Sequence, residues 1–280
     1  MMSDRDTDRY VVIGNPVAHS RSPRIHALFA AQTAQDLSYD TLLAPLDGFA
    51  AAVREFVAAG GRGANVTVPF KEEAFRLSTQ LSARAAAAGA VNTLRFDASG
   101  AIFGDNTDGA GLVRDITANL CRSLHDKRVL LLGAGGAARG VILPLLLEAP
   151  ARLYIANRTP ARAAALVNEF NALPDALPGR LDGGSFSNLA GQQFDILINA
   201  TSAGLSDSTL DLPAGLFAEG ALAYDMVYGR ETPFMQQAIA AGAQVADGLG
   251  MLVEQAAESF SIWRGVRPQT APVMQALRAG

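Results

Sequence analysis

The sequence has only one cysteine and three histidines among its 280 residues. With Cys121 alone, no intrachain disulfide and no thiolate metal site can form. The histidines, at positions 19, 26 and 125, lack the spacing of metal ligands. We therefore expect no resident metal, and we expect the lone thiol to be a buried apolar side chain.

Strong positive charge and long hydrophobic runs are also missing. There are 23 Lys and Arg against 27 Asp and Glu, a formal net charge of -4, whereas nucleic-acid binding requires a basic field. The most apolar stretch, residues 141–147, is too short to span a bilayer, and the charged N-terminus precedes no apolar run. We expect a cytoplasmic protein, monomer or homodimer, that binds a small molecule and neither nucleic acid nor membrane.

The first third of the chain alternates short apolar strands with alanine-rich helices. Three strands are predicted, at residues 10–14, 38–43 and 64–68. Helices are predicted at 23–35, capped by Ser22, and at 47–59, capped by Asp47, with glycines 60, 61 and 63 ending the second. Residues 91–96 and 101–104 are typical of a β-hairpin.

The same alternation resumes after a helix predicted over residues 107–121. Strands are predicted at 128–132, 152–156, 194–199 and 222–226, with helices from 135 and over 160–170. Residues 171–193 are predicted to form surface loops with one weak strand, and residues 251–279 two helices. Such alternation favours a parallel sheet covered on both faces.

A glycine-rich turn follows the strand predicted at 128–132. Gly133 permits the tight turn, Gly135 lets the backbone approach a pyrophosphate, and Ala138 keeps the next helix close to the strand. The N–H groups at the start of that helix suit phosphate. The pattern predicts a dinucleotide site that includes Gly133, Ala134, Gly135, Gly136 and Ala137.

Asn157-Arg-Thr159 follows the next strand, where NAD-binding proteins usually place an acidic residue on the ribose 2′-hydroxyl. Arg158 and Arg162 are suited to grip a 2′-phosphate instead, and Thr159 adds a hydroxyl. An ordinary helix cap beside solvated arginines is the alternative. The position favours NADP as the cofactor.

These elements predict an α/β protein of two domains. Residues 1–106 are expected to form an N-terminal α/β substrate-binding and catalytic domain, and residues 107–247 a Rossmann-type NADP-binding domain. Residues 248–280 are expected to form C-terminal helices that return to the first domain.

Lys71 and Asp108 are the acid–base candidates. An alcohol that loses a hydride also loses its hydroxyl proton, so a group within hydrogen-bond reach must accept it. A lysine accepts a proton only when neutral, whereas a neighbouring carboxylate favours the ammonium form. We assign proton transfer to the Lys71–Asp108 pair, with Lys71 as the base, and leave the order of steps open. A plain surface salt bridge is the alternative.

Neutral polar residues follow several predicted strands. Ser20 and Ser22, at a helix N-terminus, suit a carboxylate, although Ser22 alone would be an ordinary cap. Asn65, Asn92 and Thr93 stand at strand ends, where ligands of open α/β sheets bind. So many neutral hydrogen-bonding groups indicate a polyol substrate.

Nine motifs in order resemble the shikimate dehydrogenase family, from about Tyr10 to the C-terminus. They are His19-Ser-Arg-Ser-Pro23, Asn65-Val-Thr-Val-Pro-Phe-Lys71, Gly89-Ala-Val-Asn-Thr93, Asn106-Thr-Asp-Gly109, Gly133-Ala-Gly-Gly-Ala137, Asn157-Arg-Thr159, Asn199-Ala-Thr-Ser202, Asp225-Met-Val-Tyr228 and Gly248-Leu-Gly-Met-Leu-Val-Glu-Gln255. The chain departs from the family pattern at Ala83, where many relatives carry an acidic residue.

The resemblance implies reversible, NADP-dependent reduction of 3-dehydroshikimate to shikimate, a step of chorismate and aromatic amino-acid biosynthesis. It implies that Ser20 and Ser22 bind the carboxylate with Tyr228 nearby, and that Lys71 is the catalytic base. The ring hydroxyls would be held by Thr67, Asn92, Asp108 and Gln255. The cofactor would be lined by residues 133–137, by Asn157, Arg158, Thr159 and Arg162, and by Met226 and Gly248.

Two alternatives remain open at this stage. One is a dehydrogenase that also oxidises quinate and accepts NAD; Arg158 and Arg162 argue against NAD, but nothing in the sequence rules out quinate. The other is a non-catalytic, metabolite-sensing regulator. Such a regulator should lack the Lys71–Asp108 pair or carry an added basic segment, and this chain keeps the pair.

Overall fold

The structure is a computed structural model that describes residues 7–173, 179–201 and 208–279. The chain divides into two compact units, one of Met1–Gly111 with Val253–Gly280 and one of Leu112–Leu252. Each unit contains a six-stranded sheet covered by helices, which confirms the predicted α/β fold. The functional boundaries predicted at 106/107 and 247/248 stay a prediction.

The sheet of the first unit is mixed. Its strands are β1 (Asp8–Gly14), β2 (Leu37–Leu43), β3 (Gly61–Val66), β4 (Gln80–Leu81), β5 (Thr93–Phe96) and β6 (Ile102–Asp105), in the order β2-β1-β3-β5-β6-β4. β1 runs parallel to β2 and β3, whereas β5 is antiparallel to both β3 and β6. The helices between them are α1 (Ser22–Thr33), α2 (Phe49–Ala58), α3 (Lys71–Leu77) and α4 (Ala83–Ala88), and α5 (Asp108–Arg114) follows β6.

The second unit contains a fully parallel sheet. Its strands are β7 (Arg128–Leu132), β8 (Arg152–Ala156), β9 (Leu181–Gly184), β10 (Phe194–Asn199), β11 (Phe217–Asp225) and β12 (Gln244–Ala246), in the order β12-β11-β10-β7-β8-β9. Its helices are α6 (Gly136–Leu147), α7 (Pro160–Asn171) and α8 (Pro233–Ala240). Four consecutive residues of β7, 129–132, are fully buried, as expected of a strand covered on both faces.

The C-terminal helices α9 (Leu249–Arg264) and α10 (Ala271–Arg278) complete the chain. Arg21 and Arg24 of the α1 region donate to the carbonyl oxygens of Leu277 and Ala276, at 3.2 and 3.0 Å. Because the last carbonyls of a helix lack intrahelical donors, these contacts stabilise the end of α10. None of the helices in the described part of the chain combines the length and apolar character that a membrane span needs.

Three local predictions are wrong. Ser22 is the first residue of α1, with Arg21 at the capping position. The second helix begins at Phe49, with Gly48 at the capping position. Asp47 does not cap it, because Asp47 lies inside a turn that the Gly48 N–H closes with the Pro45 carbonyl. The helix predicted over 107–121 is confirmed over 108–119, as α5 followed by a π-helical turn, Asp115–Asn119. Cys121 then leaves that turn with a left-handed φ of 52°, which places its thiol on the surface.

His26 of α1 is buried among aromatic rings. Its ring stacks on Tyr39 with the centroids 4.1 Å apart and the planes 5° from parallel. Burial lowers the pKa of His26 to about 3, and the nearby Asn65 side chain opposes this in smaller part. The imidazole is therefore neutral in the folded protein across the physiological range.

We expect His26 to make the protein acid-sensitive. The unfolded chain binds a proton below about pH 6.5 while the folded chain does not until about pH 3, so stability is complete above the first value and falls as the pH drops between them. The slope approaches about 1.4 kcal/mol per pH unit. Urea unfolding of His26→Phe, which keeps the ring stack, should show a flatter fall from about pH 7 to about pH 5. An unaltered slope in His26→Phe would contradict the assignment.

Candidate active site

Strand register gathers the polar motifs of the first unit at one edge of its sheet. Asn65 of β3 pairs with Thr93 of β5, and Thr93 pairs with Asp105 of β6. The residues that follow Asn65 and Asp105 and the residues that precede Thr93 therefore lie side by side, although their motifs are well separated in the sequence. This is the edge where polar groups of open α/β sheets meet ligands.

Lys71 and Asp108 are in direct contact. Lys71, the first residue of α3, donates from Nζ to Asp108 Oδ2 at 2.6 Å, and Asn92 donates from Nδ2 to Asp108 Oδ1 at 2.8 Å. The side chains of Lys71 and Asp108 are 30% and 15% exposed. Each carboxylate oxygen thus has a donor, and the pair is more enclosed than a plain surface salt bridge.

Gln255, which only the family resemblance indicated, lies beside this pair. It stands on α9, and its Oε1 accepts from Asn92 Nδ2 and from Thr107 Oγ1, both at 3.3 Å. The structure therefore joins Lys71, Asp108, Asn92 and Gln255 in one series of hydrogen bonds. These four residues offer both donors and acceptors to a polyhydroxylated ligand.

The buried side-chain amide of Asn65 contacts the backbone of Asn92 and stabilises the strands beside this site. Its Oδ1 accepts from the Tyr39 hydroxyl at 2.7 Å, and its Nδ2 donates to Ser259 Oγ at 2.9 Å and to the Asn92 carbonyl at 3.2 Å. Burial raises the pKa of Tyr39 well above its usual value, and a hydrogen bond with Ser22 opposes this. Asn65 is thus occupied by internal contacts that fix β3 to β5 and α9.

Ser20 and Thr67 lie on the loops that follow β1 and β3, and Ser22 is the first residue of α1. Ser20 and Ser22 are joined by a bond from the Ser22 N–H to Ser20 Oγ at 3.3 Å. The Thr67 N–H donates to the Ile13 carbonyl at 2.9 Å. Gly14 leaves room for the Thr67 methyl, since a Cβ at Gly14 would lie 2.4 Å from Thr67 Cγ2.

Sequence reasoning missed two members of the network, Thr107 and Ser259, both fully buried. Thr107 stands inside a recognised motif but had no role assigned to it. Ser259 lies one helical turn after Gln255, and its hydroxyl donates to the Gln255 carbonyl at 3.0 Å. A spacing of four residues places both side chains on one face of a helix, and this spacing was the sequence signal that could have identified Ser259.

In the second unit, the ends of the parallel strands surround a cavity of about 1090 Å³. All five residues of the glycine turn line it, together with Asn157, Arg158, Thr159, Arg162 and Met226. Gly248 packs behind Met226, whose carbonyl oxygen would lie 2.1 Å from a Cβ at that position. Tyr228 belongs to this unit and is partly buried; its role beside a carboxylate stays a prediction.

The glycine turn fits a dinucleotide. Gly133 has a φ of +108°, which favours glycine, and Ala200 is packed against it. No atom lies within 4 Å of the place where a Cβ would stand on Gly135 or Gly136. Side chains there would fill the space above the first turn of α6, where the N–H groups lack intrahelical acceptors. The glycines therefore leave an open cradle of phosphate-binding geometry.

Arg158 and Arg162 are both exposed beside this cavity. Within the described ranges, neither arginine forms an ion pair. Thr159 stands at the capping position of α7, but its side chain makes no capping bond. The ordinary helix cap weighed above is therefore not formed, and two cations and a hydroxyl face the same opening.

Further polar contacts shape the cavity wall. Asp225 accepts from the Val227 N–H at 2.9 Å and from Asn199 Nδ2 at 2.9 Å, which joins the ends of β10 and β11. Sequence reasoning did not identify Ser185, Phe186 and Ser187, which also line the cavity. Ser202, the last residue of its motif, lies outside the described residues.

A parallel sheet with a phosphate cradle, together with a polar site built on a Lys–Asp pair, defines a dinucleotide-dependent dehydrogenase. Family models match residues 12–94 as "Shikimate dehydrogenase substrate binding domain", 115–206 as "Shikimate / quinate 5-dehydrogenase" and 248–278 as "Shikimate 5'-dehydrogenase C-terminal domain". The chain belongs to the shikimate dehydrogenase family.

Individual relatives agree with this assignment. The shikimate dehydrogenase (NADP(+)) of Dechloromonas aromatica is 65% identical over 98% of both chains. Among solved structures, an Ael1 enzyme from Pseudomonas putida is 48% identical, with a TM-score of 0.90 over 96% of this chain and 98% of its own. The Thermus thermophilus shikimate 5-dehydrogenase in complex with NADP(H) and shikimate is 36% identical, with a TM-score of 0.85 over 97% and 99%.

Proposed function

We propose that this protein catalyses the reversible, NADP-dependent reduction of 3-dehydroshikimate to shikimate in aromatic amino-acid biosynthesis. The observation that carries the proposal is the contact of 2.6 Å between Lys71 Nζ and Asp108 Oδ2, with Asn92 and Gln255 beside it. This arrangement supplies a proton acceptor surrounded by groups that bind hydroxyls. The likeness to NADP-dependent shikimate dehydrogenases supports the same activity.

Lys71 is the proposed base. When shikimate is oxidised, its hydroxyl proton passes to Nζ as the hydride leaves the same carbon, and in reduction Nζ returns that proton to the carbonyl oxygen. Asp108 holds Nζ in place and compensates its charge through the 2.6 Å contact. NADP, when bound, accepts the hydride, and its reduced form supplies it.

The remaining substrate contacts follow the chemistry of each group. We propose that Ser20 and Ser22 bind the carboxylate at the start of α1, with Tyr228 beside it, because N–H and hydroxyl donors suit an anion. The ring hydroxyls are assigned to Thr67, Asn92, Asp108 and Gln255. Apart from Asp108 and Tyr228, these residues lie in the proposed substrate domain, residues 1–106, and in the C-terminal helices, residues 248–280, that are proposed to pack on it.

The cofactor contacts are assigned within residues 107–247 and at Gly248. Residues 133–137 are proposed to bind the pyrophosphate at the start of α6. Arg158, Arg162 and Thr159 are proposed to bind the 2′-phosphate, which NAD lacks, with Asn157 beside them. Met226, supported by Gly248, is proposed to line the nicotinamide side.

Initial rates with shikimate or quinate against NADP or NAD, followed by the absorbance of the reduced cofactor, test this function. We expect shikimate with NADP to exceed shikimate with NAD by at least about tenfold, because the 2′-phosphate gains charge-assisted bonds. Comparable rates with quinate or NAD would move the protein to the dual-specificity dehydrogenases. Shikimate binding without any reduced cofactor would favour the metabolite-sensing regulator.

A further inference from the structure

Asp225 is a buried carboxylate that the proposed mechanism does not use. It is the last residue of β11, and no part of it is exposed. Its Oδ1 accepts from the Val227 N–H at 2.9 Å, and its Oδ2 accepts from Asn199 Nδ2 at 2.9 Å and from Thr232 Oγ1 at 2.6 Å. All three partners are uncharged donors. A buried carboxylate needs such bonds, because it has lost its contact with water.

The hydrogen bonds of Asn199 fix the orientation of its buried side-chain amide. Its Oδ1 accepts from the backbone N–H and from the hydroxyl of Thr201, at 3.1 and 2.7 Å, while its Nδ2 donates to Asp225. If the amide were turned over, its NH₂ group would face the Thr201 N–H, and its oxygen would face the Asp225 carboxylate. A backbone N–H only donates and an ionised carboxylate only accepts, so the observed orientation is the one that both partners require.

Asp225 thereby holds two segments of the cavity wall in the second unit. Four residues that follow β10 and β11 line this cavity, namely Ala200, Thr201, Met226 and Val227. Thr201 lies next to the glycine turn, since a Cβ at Gly133 would stand 3.1 Å from Thr201 Cγ2. The Met226 N–H donates to the Asn199 carbonyl at 3.0 Å. The carboxylate therefore links the wall beside the glycine turn to the wall proposed to line the nicotinamide.

A carboxylate suits these partners better than an amide of the same shape. An amide has one acceptor oxygen and one NH₂ donor. With its nitrogen in place of Oδ1, it would oppose the Val227 N–H, and with its nitrogen in place of Oδ2, it would oppose the NH₂ group of Asn199. Asn199 could relieve the second conflict only by turning over, and its own NH₂ group would then oppose the Thr201 N–H. Either arrangement displaces backbone that lines the cavity.

We infer that Asp225 is a positioning residue for the nicotinamide half of the cofactor. It sets the backbone at Thr201 and at Met226–Val227, which follow β10 and β11. The 2′-phosphate is assigned instead to residues that follow β8, and β7 separates β8 from β10 in the sheet. Asp225 therefore acts on the part of the cavity that NADP and NAD share. The inference rests on the cofactor contacts of the proposed function.

Two ligands separate the halves of the cavity. NADPH carries both the nicotinamide and the 2′-phosphate, whereas 2′,5′-ADP carries the 2′-phosphate without the nicotinamide. We expect Asp225→Asn to raise the Kd for NADPH about tenfold, because a buried acceptor is replaced by a donor, and to leave the Kd for 2′,5′-ADP within about twofold. Nicotinamide fluorescence gives the first Kd, and calorimetric titration gives the second. Equal weakening of both ligands, or native affinity for both, would overturn the inference.

The matched control is Thr232→Val. It also removes a donor from the Asp225 carboxylate, but that donor belongs to the cap of α8 rather than to the cavity wall. We expect Thr232→Val to lower the urea midpoint of unfolding, because the cap is lost, and to leave the Kd for NADPH within about threefold. A tenfold loss of NADPH affinity in this variant would mean that Asp225 acts only through general stability, which contradicts a positioning role.

The variant Asn199→Ala tests the same link if Asp225→Asn does not fold. It keeps the bonds of Asp225 to Val227 and Thr232 and removes the acceptor of the Thr201 N–H. We expect the Kd for NADPH to rise at least about fivefold while the Kd for 2′,5′-ADP stays within about twofold; native NADPH affinity would overturn the inference. A native protein that forms no NADPH from shikimate would overturn the proposed function, whereas these Kd values, which need no turnover, still decide the role of Asp225.

Discussion

The Lys71→Ala variant is expected to lose most of its turnover of shikimate while its affinity for shikimate stays nearly unchanged. Lys71 Nζ is the proposed proton acceptor, and a positioned acid–base group typically contributes about 10²–10⁴-fold to the rate. Affinity is proposed to come from the serines at the start of α1 and from the amides near Asp108. Initial rates give kcat, and calorimetric titration with shikimate should give a Kd within about threefold of the native value.

The control variant Lys71→Arg distinguishes proton transfer from charge. Arginine keeps a cation that can pair with Asp108, but a guanidinium does not give up its proton in a protein. We therefore expect Lys71→Arg to be as inactive as Lys71→Ala. Near-native kcat in either variant would mean that Asp108 or a water molecule accepts the proton, and Asp108→Asn would then be the variant that loses turnover.

The buried strands of the second unit were the easiest elements to predict. The bounds predicted for β7, β8 and β10 are those observed, because each strand contains at least three consecutive buried apolar residues. Helix α8 and strand β12 had no prediction. β12 has only three residues, all of them at least partly exposed, so it has no apolar pattern to recognise.

Glycines were the main source of error in the first unit. Gly61 and Gly63 were interpreted as part of a helix-breaking turn, but both lie in β3. A Cβ on Gly61 would lie 2.3 Å from the Phe56 ring, and one on Gly63 would lie 2.6 Å from Trp263 Nε1. These glycines permit close packing, and the packing partner of Gly63 is distant in the sequence.

The site residues were predictable where one local motif carried them. Lys71, Asp108 and the glycine turn stand in short patterns whose chemistry can be read directly. The contacts that orient them join distant positions: Thr107 and Gln255 are 148 residues apart, and Asn65 and Ser259 are 194 apart. Residue types do not reveal which end of an amide faces inward, because only the neighbouring donors decide that orientation.

Replacing Arg158 by alanine is expected to weaken the binding of NADP much more than the binding of NAD. Arg158 is exposed beside the cavity and, in the ranges that the structure describes, has no ion-pair partner, so its charge is available to a 2′-phosphate. Losing hydrogen bonds to a charged group costs about 1.5–3 kcal/mol, so the KM for NADP should rise about 10–100-fold. The KM for NAD, which lacks that phosphate, should change less than about threefold in the same assay.

Two further variants test whether NADP binding depends on the charge of Arg158 alone or also on the geometry of its guanidinium group. Arg158→Lys keeps the charge without the planar fork of donors, so its loss of NADP affinity should be intermediate. Alanine at Arg54, an exposed arginine of α2, should change neither KM. Added salt should weaken NADP binding more in the native protein than in Arg158→Ala, since an exposed charge pair is screened. Equal losses for NAD and NADP would instead assign Arg158 to the pyrophosphate that both cofactors share, and the preference for NADP would then depend on Arg162 and Thr159.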